Sequence, residues 1–267
     1  MSHEISGTLV VIKGGGDVGS AVAHLLFGHD YIPVIVESET PSTTRRRMAF
    51  AAAVFDGEAE LEGVRAERVE SLAALRALLI WKKVVPVFVG SLEDVLREFS
   101  PPIVIDARMR KRDIPETQIA QAPFTIGLGP GLVAGQTVHV VIETSRGPTL
   151  GQVITEGRTE PYTGEPISIA GYKRERYAYA PVAGTFHTQL EIGTTVHAGD
   201  LLGQVENHEL RAQVDGIIRG ITKDGIEVKQ GTKVAAVDPR GQAEFTTGIA
   251  ERPRKIAEGV LEAIRRR

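Results

Sequence analysis

The chain has 267 residues, of which 42% are hydrophobic and 24% charged, and its formal net charge is −3. This is the composition of an ordinary globular protein, and without a basic excess we expect neither nucleic acid nor a membrane surface as a partner. The chain has no cysteine, which excludes disulfides, cysteine-ligated metals and a cysteine nucleophile.

The chain opens with the pattern of a βαβ unit. An apolar run at residues 9–13 predicts a buried strand, and a second run at residues 32–36 ends in Glu37. Between them, apolar residues at helical spacing follow a cluster of glycines. The order strand, glycine turn, helix, strand is typical of the start of a nucleotide-binding fold.

The glycine turn fits the pattern G-x-G-x-x-G and supplies the first predicted cofactor-binding residues: Gly14, Gly15, Gly16, Asp17, Val18 and Gly19. In this pattern the glycines permit a tight turn, a close approach to pyrophosphate and close helix packing. Glu37 is predicted to bind ribose hydroxyls, which disfavours NADP, although the arginines at 45–47 could reverse that preference. A glycine turn without a ligand stays the alternative, and the carboxylate of Asp17 would repel phosphate.

Strands and helices then alternate up to residue 143. Ser71 and Ser91 are predicted to cap helices, and apolar runs predict strands ending near Val89, Asp106 and residue 142. This alternation predicts an α/β fold with a Rossmann-like, mostly parallel sheet covered by helices on both faces.

Polar and glycine residues follow several of these strands. The candidate catalytic residues are Asp106, Arg108 and Glu143, and a second glycine-rich loop adds Gly127, Gly129 and Gly131 to the predicted cofactor-binding residues. Ligands of such sheets bind beyond the carboxyl ends of the strands, so these groups could line one crevice. A plain Asp106–Arg108 salt bridge and a plain turn are the alternatives. Lys13 could touch phosphate or simply end its strand.

The second half of the chain has a different character. Glycines and prolines interrupt residues 144–179, and residues 180–240 repeat with an offset of 32, so that Gly193 aligns with Gly225. This repeat resembles biotinyl and lipoyl carrier modules and predicts a small all-β barrel-sandwich, but its central hairpin at 206–211 lacks the lysine that carries their prosthetic group. The predicted domains are 1–143, 144–179 (a loop-rich connector), 180–240 and an amphipathic helix within 241–267. The seven histidines show no metal-binding spacing, so no metal site is predicted.

Several motifs in the same order resemble the selenium-dependent molybdenum hydroxylase accessory family, whose nucleotide-binding half is similar to xanthine dehydrogenase accessory proteins. The matching stretches are residues 11–17, 45–55, 106–109, 127–131, 141–147, 215–220, 238–241 and 259–264. The resemblance implies a maturation factor that handles the molybdenum cofactor or its nucleotide form. A cysteine expected near Thr246 and a lysine expected near Arg252 are absent.

Three functional hypotheses follow from the sequence. The first is an accessory protein that binds a nucleotide-bearing cofactor and presents it to a molybdenum hydroxylase; the others are an NAD(H)-dependent oxidoreductase and a non-enzymatic assembly module. The expected cofactor is a dinucleotide-like ligand such as NAD, FAD or a molybdopterin dinucleotide. Whether the protein is an enzyme, and whether selenium is involved, stay open. We expect a cytoplasmic protein without a signal peptide, and a homo-oligomer is left open.

Overall fold

The computed structural model describes residues 5–110 and 116–267, so the start of the first predicted domain at residues 1–4 lies outside the described part. The chain forms two compact units. Unit 1 contains Met1–Glu39, Ala49–Tyr162 and Ile249–Arg267, and unit 2 contains Thr40–Met48 and Thr163–Gly248. In the described ranges, no helix combines the length and apolar character needed to cross a membrane.

Unit 1 is built on a nine-stranded sheet. Its strands are β1 (Leu9–Lys13), β2 (Ile32–Glu37), β3 (Glu58–Leu61), β4 (Val64–Val69), β5 (Val85–Val89), β6 (Ile103–Asp106), β7 (Phe124–Leu128), β9 (Val140–Ile142) and β10 (Val153–Ile154). Their spatial order is β10-β9-β7-β6-β1-β2-β5-β4-β3. The short strands β8 (Val133–Ala134) and β11 (Gly157–Arg158) form a separate antiparallel pair.

Helices cover both faces of this sheet because its inner strands are apolar on both sides. The helices are α1 (Asp17–Phe27), α2 (Ala53–Asp56), α3 (Leu72–Trp81), α4 (Leu92–Phe99) and α5 (Glu251–Arg265). On one face, α1 and α5 share a core that includes Ile12 and Val260. On the other face, α3 and α4 share a core that includes Val11 and Leu75.

The order in which successive strands are added to the sheet reverses beside β1: β2 lies on one side of β1, and the later strand β6 lies on the other. β1 pairs in parallel with β2 on one side and with β6 on the other. The loops that leave β1 and β6 therefore diverge and open a crevice at the carboxyl ends of these strands. This is the edge where Lys13 and Asp106 lie as direct neighbours in the strand register.

Unit 2 contains two four-stranded antiparallel sheets, ordered β12-β19-β17-β14 and β16-β15-β13-β18. Its strands are β12 (Tyr177–Tyr179), β13 (Gly184–His187), β14 (Thr195–Val196), β15 (Leu201–Val205), β16 (His208–Arg211), β17 (Gly216–Ile221), β18 (Ile226–Val228) and β19 (Lys233–Asp238). Strands of the two sequence repeats pair with each other: β13 with β18 and β14 with β17. Each sheet thus contains strands from both repeats.

The structure corrects the fold class predicted from the sequence, a Rossmann-like mostly parallel sheet followed by a barrel-sandwich. The large sheet is mixed, because β3 and β10 run antiparallel to their neighbours at its two edges. Glu62 and Gly63 join β3 to β4 with φ values of +45° and +84°, and so short a turn can only connect antiparallel strands. The remaining strands of the chain form several antiparallel sheets, and unit 2 also takes in residues 40–48 from the first half.

The predicted domain limits at 143, 179 and 240 stay predictions. Compactness alone does not show which segments fold independently, and both units are assembled from separated stretches of chain. The closing helix of the fourth predicted segment is α5, which begins at Glu251.

Candidate functional site

The candidate site begins where β1, β6 and β7 end side by side. Lys13 pairs with Asp106 in the register of β1 and β6, and Asp106 pairs with Gly127 in the register of β6 and β7. The sheet thus brings together the first glycine loop, the Asp106–Arg108 pair and the second glycine loop, as their positions at strand ends predict. Whether they act together as a binding site is not tested by the fold.

Asp106 is buried and pairs with Arg108 in a two-pronged ion pair. The Nε and Nη2 atoms of Arg108 donate to the two carboxylate oxygens at 2.9 and 2.6 Å, and its backbone N–H donates at 3.1 Å. Gln118 donates from Nε2 to the same carboxylate at 2.7 Å. Burial alone would raise the pKa of Asp106, but the hydrogen bonds from Arg108 hold it below its ordinary value. Asp106 is therefore a fixed negative charge rather than a proton carrier near neutral pH.

Lys13 is a buried cation, with 4% of its surface exposed. Its ammonium donates to the amide oxygen of Gln118 and to that of Gln121 at 3.4 Å, and it lies 3.9 Å from Asp106 Oδ2. Burial lowers the pKa of Lys13, which the neighbouring carboxylates oppose. These contacts satisfy the ammonium, as a buried charge requires.

Three cationic side chains converge on one carboxylate, that of Glu116. Arg108 Nη2 lies 2.6 Å from Oε1, Lys13 Nζ lies 3.5 Å from the same atom, and Arg110 contacts Oε2. Desolvation works against ionisation, but hydrogen bonds from Arg108 and Arg110 hold the pKa of Glu116 well below its usual range. The Glu116 side chain is 46% exposed, so this carboxylate meets solvent on one side and the cations on the other.

A small pocket adjoins these charges. It is partly open to solvent and is lined by Asp106, Met109, Arg110, Leu128, Pro130 and Leu132. Met109 adopts a φ of +54°, an uncommon conformation for a residue other than glycine that occurs often at binding sites. The water-accessible volume of the pocket is about 10 Å³, which is room for about one water molecule.

The first glycine loop is held mainly by its own surroundings. A side chain at Gly14 (φ +97°) would come within 3.2 Å of the Arg108 backbone, and one at Gly19 would come within 2.0 Å of the Gly14 carbonyl oxygen. At Gly16, by contrast, no atom lies within 4 Å of the position that a β-carbon would take. Two of the three pattern glycines are thus required by the chain itself, and Gly16 faces open space at the start of α1.

Glu37 and Glu143 lie at strand ends but bind backbone groups. The Glu37 carboxylate accepts hydrogen bonds from the N–H groups of Gly15 (2.7 Å) and Ser38 (2.9 Å). The buried Glu143 carboxylate accepts from Thr144, Ser145 and Glu160, each at 2.7 Å. Both side chains organise loops, and the predicted ribose contact of Glu37 stays a prediction.

Gly129 and Gly131 give the second glycine loop its shape, with φ values of +100° and +90°. A β-carbon at Gly129 would lie 3.4 Å from the Met109 sulfur and 3.7 Å from Thr144 Oγ1. At Gly127, a β-carbon would overlap the side chain of Leu132 at 2.5 Å. The loop therefore closes one side of the small pocket.

A second Asp-x-Arg pair in unit 2 shows what this motif does without a crevice. Asp238 and Arg240 repeat the geometry of Asp106 and Arg108, with Nε and Nη2 donating at 2.9 and 2.6 Å. Asp238 is fully buried, and Arg240 packs on the ring of Phe245. Arg219 lies 3.4 Å from the same carboxylate, so the Asp-x-Arg pair, even with a second arginine, is a structural feature of a strand end. The convergence of Lys13, Arg108 and Arg110 on Glu116 distinguishes the site in unit 1.

Sequence reasoning missed Arg110, Glu116, Gln118 and Gln121. They follow Asp106 by 4 to 15 positions in the sequence, and no periodic pattern marks them as neighbours of Lys13. Across the described residues, no group of three or more His, Cys, Asp or Glu side chains is arranged to hold a metal ion.

No family model matches the sequence. The chain is 40% identical over 263 residues to the uncharacterized protein YqeB of Escherichia coli K12, and the match covers 98% of this chain and 48% of that protein. The chain thus spans about half the length of this relative.

Solved structures with overall similarity are distant. They include the ectoine utilization protein EutE (DoeB) from Ruegeria pomeroyi, with 12% identity, TM-score 0.26 and coverage of 86% of this chain and 85% of that one. A succinylglutamate desuccinylase/aspartoacylase from Rhodobacter sphaeroides shows 14% identity, TM-score 0.26 and coverage of 87% and 86%. An aspartoacylase family protein from Mesorhizobium loti shows 12% identity, TM-score 0.26 and coverage of 86% and 84%. At these TM-scores the three structures define neither the fold nor the activity of this chain.

The comparisons do not support the family resemblance drawn from the sequence motifs. No family model matches the sequence and the curated relative is uncharacterized, so the assignment to selenium-dependent molybdenum hydroxylase accessory proteins does not stand. The three functions expected from the sequence are corrected as well, because the comparisons support neither the cofactor-presenting accessory protein, nor the NAD(H)-dependent oxidoreductase, nor the bare assembly module.

The predicted dinucleotide-like cofactor (NAD, FAD or a molybdopterin dinucleotide) is likewise corrected, on the geometry of the site. The structure gives physical reasons for this correction. The Glu37 carboxylate is already bonded to the glycine loop, and the pocket beside Arg110 is too small for a dinucleotide.

Proposed function

We propose that the protein binds a small anion, a carboxylate or phosphate, at the carboxyl ends of β1, β6 and β7. The observation that carries the proposal is the convergence of Lys13, Arg108 and Arg110 on the half-exposed carboxylate of Glu116. In this arrangement Glu116 occupies the position of a ligand anion. Among the residues that the structure describes, the cluster has three positive and two negative side chains, which leaves one positive charge in excess.

The surroundings favour a ligand with an apolar part. Met109, Leu128 and Leu132 line the pocket beside Arg110, so an anionic group on Arg110 would place its carbon skeleton against these side chains. Guanidinium groups bind carboxylates and phosphates through paired hydrogen bonds. Asp106, held by Arg108 and Gln118, would keep the cationic side chains in place rather than touch the anion.

The test is a pair of variants with opposite expected effects. Thermal unfolding is followed with inorganic phosphate, butyrate and succinate, using chloride at the same ionic strength as the reference. A probe at ten times its dissociation constant stabilises the folded state by about 1.4 kcal/mol. Arg110→Gln should weaken binding by about 10- to 100-fold, because a hydrogen bond to a charged group contributes about 1.5–3 kcal/mol.

Glu116→Gln should instead strengthen binding, since it removes the carboxylate that competes for the same cations. Arg97→Gln is the matched control, because Arg97 is an exposed arginine of α4 with 77% of its side chain accessible. The proposal fails if none of the three probes stabilises the protein beyond chloride. It also fails if Glu116→Gln weakens binding as much as Arg110→Gln.

The cytoplasmic location expected from the sequence stays a prediction.

A further inference from the structure

Helices α3 and α4 lie on the same face of the large sheet but have different outer surfaces. Both pack on one core, through Leu75 and Leu79 of α3 and Val95 of α4. The outer surface of α4 carries four charged residues: Glu93, Asp94, Arg97 and Glu98. That is the pattern of a helix whose outer face meets water.

The outer surface of α3 is apolar. Nine of the ten residues in its sequence LAALRALLIW are apolar, yet only Leu75 and Leu79 are buried. Ala73, Ala77 and Trp81 are exposed, and Trp81 has 52% of its surface accessible. With 3.6 residues per turn, this i, i+4, i+8 series forms one ridge on the side opposite the two buried leucines.

The one charge of α3 does not lie on this ridge. Arg76 turns toward α4, where its guanidinium pairs with the carboxylate of Glu98 and lies 5.0 Å from the centre of the Phe99 ring. The ridge is therefore uncharged over its whole length. A continuous exposed apolar surface of this kind is typical of a contact site.

We propose that the ridge Ala73–Ala77–Trp81 is the contact surface between two copies of this chain, with the two α3 helices packed antiparallel about a two-fold axis at Ala77. The four-residue spacing of Ala73, Ala77 and Trp81 favours a second copy of the chain as the partner. An axis at Ala77 places each Trp81 against the small Ala73 of the second copy, so that one large and one small residue meet at both ends. Such self-complementarity is what a two-fold interface requires, and alanines on a ridge let two helices approach closely.

The charges that flank α3 agree with an antiparallel pair. Glu70, which pairs with Arg68 at 2.7 Å but keeps 63% of its side chain exposed, lies just before the N-cap Ser71. Lys83 is exposed beyond Trp81, whereas Lys82 donates to Ser6 of the same chain. In the antiparallel arrangement, Lys83 of one copy comes near Glu70 of the second copy. A parallel pair would place like charges together at each end.

The surface is small, so the association should be weak. Ten helical residues span about 15 Å, and one helix per copy provides less than the roughly 1,600 Å² of a standard interface. We expect a dissociation constant in the micromolar range.

Sedimentation velocity over concentrations from about 1 to about 200 µM tests the proposal. The unmodified chain should shift from monomer to dimer across this range. Ala77→Glu places two carboxylates on the axis and should keep the chain monomeric. Arg97→Gln on α4 changes the net charge by the same amount and should leave the dimer intact, and far-UV circular dichroism checks that both variants are folded.

A crosslink supplies an independent measurement. The chain has no cysteine, so Ala77→Cys introduces a single thiol at the axis, where two copies should form a disulfide under mild oxidation. Arg97→Cys should crosslink much more slowly. A chain that stays monomeric at all concentrations overturns the proposal and leaves the ridge to a different partner. A dimer that persists in Ala77→Glu, or equal crosslinking of both cysteine variants, overturns it as well.

Discussion

Replacing Gly19 by alanine should destabilise unit 1 strongly, whereas the same change at Gly16 should be nearly neutral. A β-carbon at Gly19 would lie 2.0 Å from the carbonyl oxygen of Gly14 and 3.2 Å from the β-carbon of Ala107. The first distance is more than 1 Å too short, and the atom it meets belongs to the backbone of the glycine loop. The chain must therefore move α1 or the end of β1.

The magnitude follows from two opposing effects. Overpacking of this kind costs about 3 kcal/mol at the upper end of its usual range, while alanine in a helix gains up to about 1 kcal/mol over glycine. The free energy of unfolding should fall by about 2 kcal/mol, which corresponds to a decrease in Tm of about 4–8 °C. Gly16 has a φ of −65°, and no atom lies near the position of its β-carbon. Gly16→Ala should therefore change the free energy of unfolding by less than about 0.5 kcal/mol. Alanine is a slightly poorer N-cap than glycine, but it also lowers the entropy of the unfolded chain, and the two effects offset each other.

The assay uses the single tryptophan of the chain. Trp81 lies in unit 1, so urea unfolding followed by its fluorescence reports on the unit that contains the loop. The measurements are made at low protein concentration so that the chain stays monomeric. An equal slope of free energy against urea shows that both variants unfold the same surface. If Gly19→Ala stays within about 0.5 kcal/mol of the parent, or if Gly16→Ala is the more damaging change, the steric reasoning is refuted.

Two further predictions concern buried carboxylates. Burial alone would raise the pKa of Asp238, but hydrogen bonds from Arg240 hold it below its ordinary value, so its contribution to stability is full above about pH 4 and is lost as pH falls through the lower folded-state pKa. Asp238→Asn should therefore lower the free energy of unfolding by about 3 kcal/mol at neutral pH and by much less near pH 2. Hydrogen exchange of the β19 amides measures this loss. A difference in stability between variant and parent that is as large at pH 2 as at neutral pH would contradict the prediction. Glu143→Gln should cost about 2 kcal/mol, because an amide has only one oxygen for the three backbone N–H groups that the carboxylate now accepts. Trp81 fluorescence during urea unfolding measures the loss, with the exposed Glu93→Gln as control, and equal stability of the two variants would refute the assigned role.

Local patterns in the sequence predicted individual elements well. The apolar run at residues 9–13 is β1. Ser71 and Ser91 each accept a hydrogen bond from the backbone N–H three positions later, which confirms them as helix caps. These elements depend on neighbouring residues alone, so a short stretch of sequence contains the information needed. The direction of the edge strands and the place of residues 40–48 in unit 2 depend on distant contacts, and the predicted fold class was wrong at these points.

The candidate site shows the same division between local and distant information. Glu37 and Glu143 lie at strand ends, as predicted, but the sequence does not show that their carboxylates accept hydrogen bonds from backbone N–H groups. The convergence of charges on Glu116 brings in Lys13, which is 103 positions away in the sequence, as well as Arg110, which is 6 positions away. Only the sheet register makes Lys13 a neighbour of the other two.

The exchange of strands between the two repeats of unit 2 has a consequence for its origin and assembly. Because β13 pairs with β18 and β14 with β17, a chain with only one repeat could complete neither sheet, and two such chains would have to intertwine. The present unit is equivalent to an interlocked pair of small proteins joined end to end by a peptide link. Covalent fusion turns a concentration-dependent association into an intramolecular one, and it allows the two halves to diverge, as the buried Phe186 and its counterpart Ile218 already have.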